Sequence, residues 1–184
     1  MDKSNNKKQS KNKLNEVTTF QVPFALGEIK ATISNPTQRS LSLNREKLIQ
    51  QAIKFHSEGN ISEAIKNYQY CINQGFNDYR VFSNYGAILK DLGKLQEAES
   101  SVRKAIEMEP GFADAHSNLA GILKDLGKLK EAELSLRKAI KLKPGFAAGY
   151  SNLGVILRDL GKFKEAESCY LKALGLKPNS KIFR

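Results

Sequence analysis

The sequence contains no tryptophan, only two cysteines and only two histidines, and each scarcity removes a class of activity. His56 and His116 stand far apart, with no His/Cys cluster at metal-ligand spacing, no nucleophile motif and no glycine-rich phosphate loop. No metal, no cofactor and no catalytic residue is therefore expected, and the chain reads as a non-enzyme. No apolar run approaches 18 residues, so no membrane-spanning helix is expected. The basic N-terminus lacks the continuous apolar segment of a secretory signal. Cys71 and Cys169 are too far apart in the repeat pattern described below for a disulfide, which needs Cα atoms within about 7 Å. Two unpaired thiols point to a reducing compartment and hence to the cytoplasm.

Charge of one sign is in excess. The net charge is +11, concentrated at the two ends. Residues 1–44 hold seven Lys/Arg against three Asp/Glu, whereas residues 45–78 and 79–112 each balance to zero. There is no arginine-rich run and no interleaved aromatic stripe, so nucleic acid is a disfavoured partner and solvated faces account for the charge.

What the sequence has in abundance is itself. Residues 83–116 and 117–150 are identical at 22 of 34 positions without a gap, and a third copy starts at Ser151 with SNLGVILRDLGKFKEAES. A fixed period of 34 marks stacked helix–turn–helix units. Counting units from Arg45, Tyr79, Ala113 and Ala147 puts Gly59, Gly93, Gly127 and Gly161 in register, each where a first helix has to stop in the left-handed region. Pro110, Pro144 and Pro178 close second helices. Between these stops, Phe82, Tyr85, Gly86 and Leu89 form one helical stripe, and Ala98, Val102, Ala105 and Ile106 the stripe facing it.

These positions resemble the tetratricopeptide repeat. The resemblance covers four units, 45–78, 79–112, 113–146 and 147–180, with 181–184 as a tail. It is weakest in the first unit, where Gln51 replaces the usual leucine and Phe76 stands where the proline is expected. It implies an all-α, right-handed α-solenoid of four repeats. Residues 1–44 are expected to be a basic, low-complexity and mostly disordered segment, interrupted by the apolar stretch 20–29.

In such an array the first helices line a groove. Asn84, Asn118 and Asn152 recur there at the repeat spacing, with Gln50 as the variant of the first unit. Asp91, Asp125 and Asp159 lie seven residues further on, flanked by Lys90, Lys124 and Arg158. An amide carries both donor and acceptor, which suits a peptide backbone of any sequence, and the charges would select side chains. This face resembles the repeat superhelix of O-linked N-acetylglucosamine transferases, which implies an asparagine ladder holding an extended polypeptide. Solvated asparagines preserved by repeat duplication are the other reading, and both stay open. The expected function is a non-catalytic scaffold or adaptor for a protein or peptide ligand. The alternative is a substrate-recruiting arm of a glycosyltransferase whose catalytic domain is separate.

Three smaller expectations complete the reading. His116 shares a slot with Phe82 and Tyr150 and should pack in the core. Ile49 and Ile53 should face the open groove, covered by Phe20–Ile29 folding back as a cap; a short linear motif for another protein is the other reading of that stretch. Leu171, Tyr170 and Leu174 of the last helix should form an open apolar patch, covered either by a second copy in a homodimer through that helix or by a C-terminal extension since lost.

Overall fold

The computed structural model describes residues 36–176, the first five by their backbone alone. They form eight helices: α1 (Pro36–Ser57), α2 (Ile61–Asn73), α3 (Tyr79–Asp91), α4 (Leu95–Met108), α5 (Ala113–Asp125), α6 (Leu129–Leu142), α7 (Ala147–Asp159) and α8 (Phe163–Leu176). No strand occurs among the described residues. Each odd-numbered helix pairs with the even-numbered helix after it, and successive pairs stack into an all-α solenoid.

The turn inside each pair follows from one glycine. At the end of α3, Gly93 adopts φ +75°, a conformation that costs a side chain with Cβ about 1 kcal/mol or more. That geometry lets the Lys94 N–H reach back to the Leu89 carbonyl at 2.9 Å and the Gly93 N–H to that of Lys90 at 2.9 Å. The last carbonyls of the helix are thereby satisfied. Gly59, Gly127 and Gly161 repeat the conformation. The first unit lacks a closing proline and ends with a glycine instead. Gly75 takes φ +71° and the Phe76 N–H bonds the Cys71 carbonyl at 2.9 Å.

Two departures from the sequence reading concern the first unit. Helix α1 starts at Pro36, nine residues before the Arg45 unit boundary. Proline is favoured in a first turn because its missing N–H would have no partner there, and no glycine or proline follows before Gly59. Residues 41–47 are all exposed, Leu41 and Leu43 among them, so the apolar periodicity that marks the other helices is missing there. Ile49, expected in the open groove, is buried in the core, while Ile53 is half-buried. The cap segment Phe20–Ile29 lies outside the described residues.

The core is two clusters that share α3. Ile49, Ala52, Ala64, Tyr68 and Cys71 of the first unit enclose Val81 and Ile88. The other side of α3 carries Phe82 and Leu89 into a larger cluster reaching Ala166 of α8. Close approach of α3 and α4 depends on Gly86, where an added Cβ would run into Val102 Cγ2 and lie 3.1 Å from the Ala98 carbonyl oxygen.

Tyr68 is fully buried, edge-on to the His56 ring with centroids 6.1 Å apart. Its hydroxyl makes no hydrogen bond among the described residues, although the Asn84 amide faces it. Burial pushes its pKa up to about 12, and Asn84 pulls weakly the other way. An unsatisfied buried hydroxyl costs about 1–3 kcal/mol. Tyr68→Phe is therefore expected to raise the unfolding free energy by about 1 kcal/mol in urea denaturation; a loss of that size would mean the hydroxyl has a partner.

Candidate peptide-binding surface on the first helices

Three first helices contribute to one open pocket of about 330 Å³. Lys90 comes from α3, Gly121, Lys124 and Asp125 from α5, and Asn152, Val155 and Ile156 from α7, with Leu136 of α6 behind them. The 34-residue period explains the convergence: equal positions on stacked helices fall side by side. Of the ten groove residues expected from sequence, four line this pocket, namely Lys90, Lys124, Asp125 and Asn152.

The other six are placed differently. Asp91 pairs with Lys90 at 2.9 Å, and Arg158 pairs with Asp159 at 3.1 Å, so the charges neutralise their sequence neighbours as Lys124 and Asp125 do at 3.4 Å. Gln50 donates to Glu46 Oε1 at 2.7 Å on its own helix. The asparagines, identical in sequence, are not equivalent in space. Asn118 Nδ2 donates to Ser83 Oγ at 3.1 Å, tying α5 to α3, and Ser83 is fully buried. Asn84 cannot repeat that bond, because Ile49 occupies the serine position in α1; it is half-buried beside Tyr68. Asn152 is exposed and hydrogen-bonds nothing among the described residues, so its amide is open to a ligand.

Gly121 and Val155, the pocket's small floor residues, were not among the expected site residues. Gly121 sits mid-helix, where glycine costs about 1 kcal/mol relative to alanine. Packing does not require it: an added Cβ would touch only Lys90 Cδ, at an ordinary 3.8 Å. A mid-helix glycine away from any turn was the signal available in the sequence.

Ion pairs hold the helices that present this surface. Arg80 grips Glu46 with bonds of 3.0 and 2.7 Å and the helix-capping Asp78 at 2.7 Å, joining α1 to α3. The Arg80 guanidinium and then Gln50 lower the Glu46 pKa to about 2. On the second helices, Glu99 meets Lys128 at 2.9 Å and Arg103 at 2.7 Å, and one repeat later Glu133 meets Lys162 and Arg137, each at 2.8 Å. These partners hold both carboxyls below the usual range, Lys128 and Lys162 foremost. A carboxylate with a depressed folded-state pKa contributes its full stability above about pH 4.5 and loses it as pH falls towards the folded value. Thermal unfolding is thus expected to drop steeply from about pH 4.5 towards pH 2 and less steeply in Glu46→Gln/Glu133→Gln; parallel profiles would deny these pairs a role.

His116 is half-buried rather than in the core, its Nε2 3.0 Å from the Pro110 carbonyl oxygen. Cys71 is a fully buried free thiol and Cys169 a half-buried one, and burial raises both pKa values. No group of three or more His, Cys, Asp and Glu able to hold a metal occurs among the described residues. No described helix is long and apolar enough to cross a membrane.

The stacked helix pairs, glycine turns and shared first-helix surface define an α-helical repeat array. Tetratricopeptide repeat family models match residues 88–147 and 147–180. The chain is a tetratricopeptide repeat protein, and the repeat is an interaction module, so the molecule is a protein-interaction scaffold. Its fold is similar to solved structures of such proteins. MamA is 21% identical with TM-score 0.66, over 80% of this chain and 86% of that one. An O-GlcNAc transferase mutant (K341M) of Thermobaculum terrenum is 22% identical with TM-score 0.61, over 63% of this chain but 22% of that one. The first TPR of Spaghetti (RPAP3) bound to the HSP90 peptide SRMEEVD is 27% identical with TM-score 0.55, over 56% and 82%. No curated protein matches the sequence.

Proposed function

We propose that this chain is a non-catalytic adaptor that holds an extended peptide along its first helices, centred on the pocket between Lys90, Lys124 and Asn152. The observation that carries the reading is Gly121 beneath that pocket. It leaves the floor without a side chain, so a peptide backbone can approach, while the open Asn152 amide offers it a donor and an acceptor. A peptide is bound by the similar array of Spaghetti (RPAP3), which supports the class of ligand. Two free thiols fit a reducing cytoplasm. The exposed leucines of α8 fit a homodimer through that helix. A recruiting arm for a glycosyltransferase is the second reading, favoured by the fold shared with the Thermobaculum terrenum enzyme.

The test uses the tightest binder selected from a random dodecapeptide library. Asn152→Ala is expected to weaken it about fivefold, the worth of one hydrogen bond near 1 kcal/mol, without changing the melting temperature. Asn118→Ala should instead lower the melting temperature, because it removes the tie to Ser83. Unchanged affinity in the Asn152 variant, together with Lys90→Ala/Lys124→Ala, would sink the reading.

A further inference from the structure

On the second helices α4, α6 and α8 one strip recurs three times and is covered only twice. On α4 it is Leu95, Glu99, Arg103 and Ile106; on α6 it is Leu129, Glu133, Arg137 and Ile140. In both, the next unit closes over it. Arg103 reaches Glu131 at 3.6 Å and Arg137 reaches Glu165 at 2.8 Å, while the four apolar residues are half-buried. On α8 the strip reads Phe163, Glu167, Leu171 and Leu174, with Phe163 69% and Leu171 63% exposed. Leucine has replaced the stitching arginine, so this copy has exchanged ion-pair chemistry for apolar surface. Tyr170, expected in the patch, is not part of it: its ring lies over Gly154 in its own unit.

We infer that α8 of a second copy of this chain covers the strip, in a two-fold dimer that carries two peptide grooves. The surface continues an interface already formed twice within the chain, and a two-fold contact pairs that apolar surface with itself. A head-to-tail arrangement, in which α8 meets α1 of the next copy, is closed off by α1. The residues that α3 turns to the preceding unit are Val81 and Ile88, both buried with Ile49 and Tyr68. At the same positions α1 carries Lys47 and Lys54, both exposed, with Lys54 near Glu58 at 3.8 Å. Burying two ammonium groups against leucine and phenylalanine is strongly unfavourable. Exposed Lys164 and Lys172 flank the strip in sequence and offer countercharge to Glu167, its one acidic residue.

The consequence rests on the peptide-groove reading above: a dimer binds a polypeptide carrying two copies of a motif more tightly than one carrying a single copy. Sedimentation equilibrium on the full chain, over a concentration series, is expected to give a monomer–dimer equilibrium. Leu171→Arg, which restores the residue of α4 and α6, should give a monomer with unchanged circular dichroism, and Lys47→Glu/Lys54→Glu should stay dimeric. A tandem of the library-selected dodecapeptide should bind wild type on the order of a hundredfold more tightly than the single peptide, and only a few-fold more tightly in Leu171→Arg. A wild-type monomer at every concentration overturns the inference, whether residues 177–184 or nothing covers the strip. Open-ended association that the α1 variant alters overturns it too, as does a dimer indifferent to Leu171→Arg. The two claims fail separately: single-peptide affinity in the monomeric variant reads the groove alone.

Discussion

Gly121→Trp is expected to abolish most peptide binding while leaving the array folded. The position has ordinary helical backbone, not the left-handed conformation of Gly93 or Gly127, so a side chain there meets no backbone strain. An indole on the pocket floor would occupy the space in which a peptide backbone has to lie, between Lys90 and Asn152. The expected loss is on the order of a hundredfold, equivalent to about 2.7 kcal/mol. Gly121→Ala is the control. Its methyl meets only Lys90 Cδ, so it should stabilise α5 by up to about 1 kcal/mol and change affinity little. Far-UV circular dichroism checks the fold and fluorescence anisotropy with the library-selected dodecapeptide checks binding. Wild-type affinity in the tryptophan variant would place the peptide elsewhere.

The second large effect is on stability and separates two leucines of one helix. Leu136 is 1% exposed in the larger core cluster, whereas Leu134, two residues earlier on α6, is 68% exposed. Leu136→Ala removes a packed side chain from a helix that meets both neighbouring units, and should cost about 3 kcal/mol in urea denaturation. Because each unit is stabilised mainly by its neighbours, the loss should spread to α5 and α7 and broaden the transition. Leu134→Ala should stay within about 0.5 kcal/mol of wild type. Comparable costs for the two substitutions would contradict the burial pattern.

The helix stops were legible because glycine and proline act through the backbone of their own residue. Gly93 stops α3 for reasons contained in a few adjacent residues. The start of α1 was not legible, because residues 41–47 are all exposed and carry none of the apolar stripe that marks α3 or α5. The groove was legible in part. Periodicity brought Lys90, Lys124, Asp125 and Asn152 to one surface, since equal positions on stacked helices become neighbours. It could not separate Asn118 from Asn152, because each has a serine at the equivalent position of the preceding first helix, Ser83 and Ser117, yet only Asn118 bonds to its serine. The same holds for Ile49, buried by α2 and α3, and for the Glu99–Lys128 and Glu133–Lys162 pairs, whose partners sit 29 residues apart in sequence.

The central claim is that a peptide lies along the first helices rather than in the grooves between second helices, such as the one of about 360 Å³ beside Ile106, Leu134 and Lys138. Photo-crosslinking tests this most directly, with a benzophenone amino acid placed at Val155 in one variant and at Lys138 in another, each mixed with the library-selected dodecapeptide. Crosslinks from Val155 that excess unlabelled peptide suppresses, with none from Lys138, are the predicted result. Crosslinks from Lys138 with none from Val155 would contradict the account.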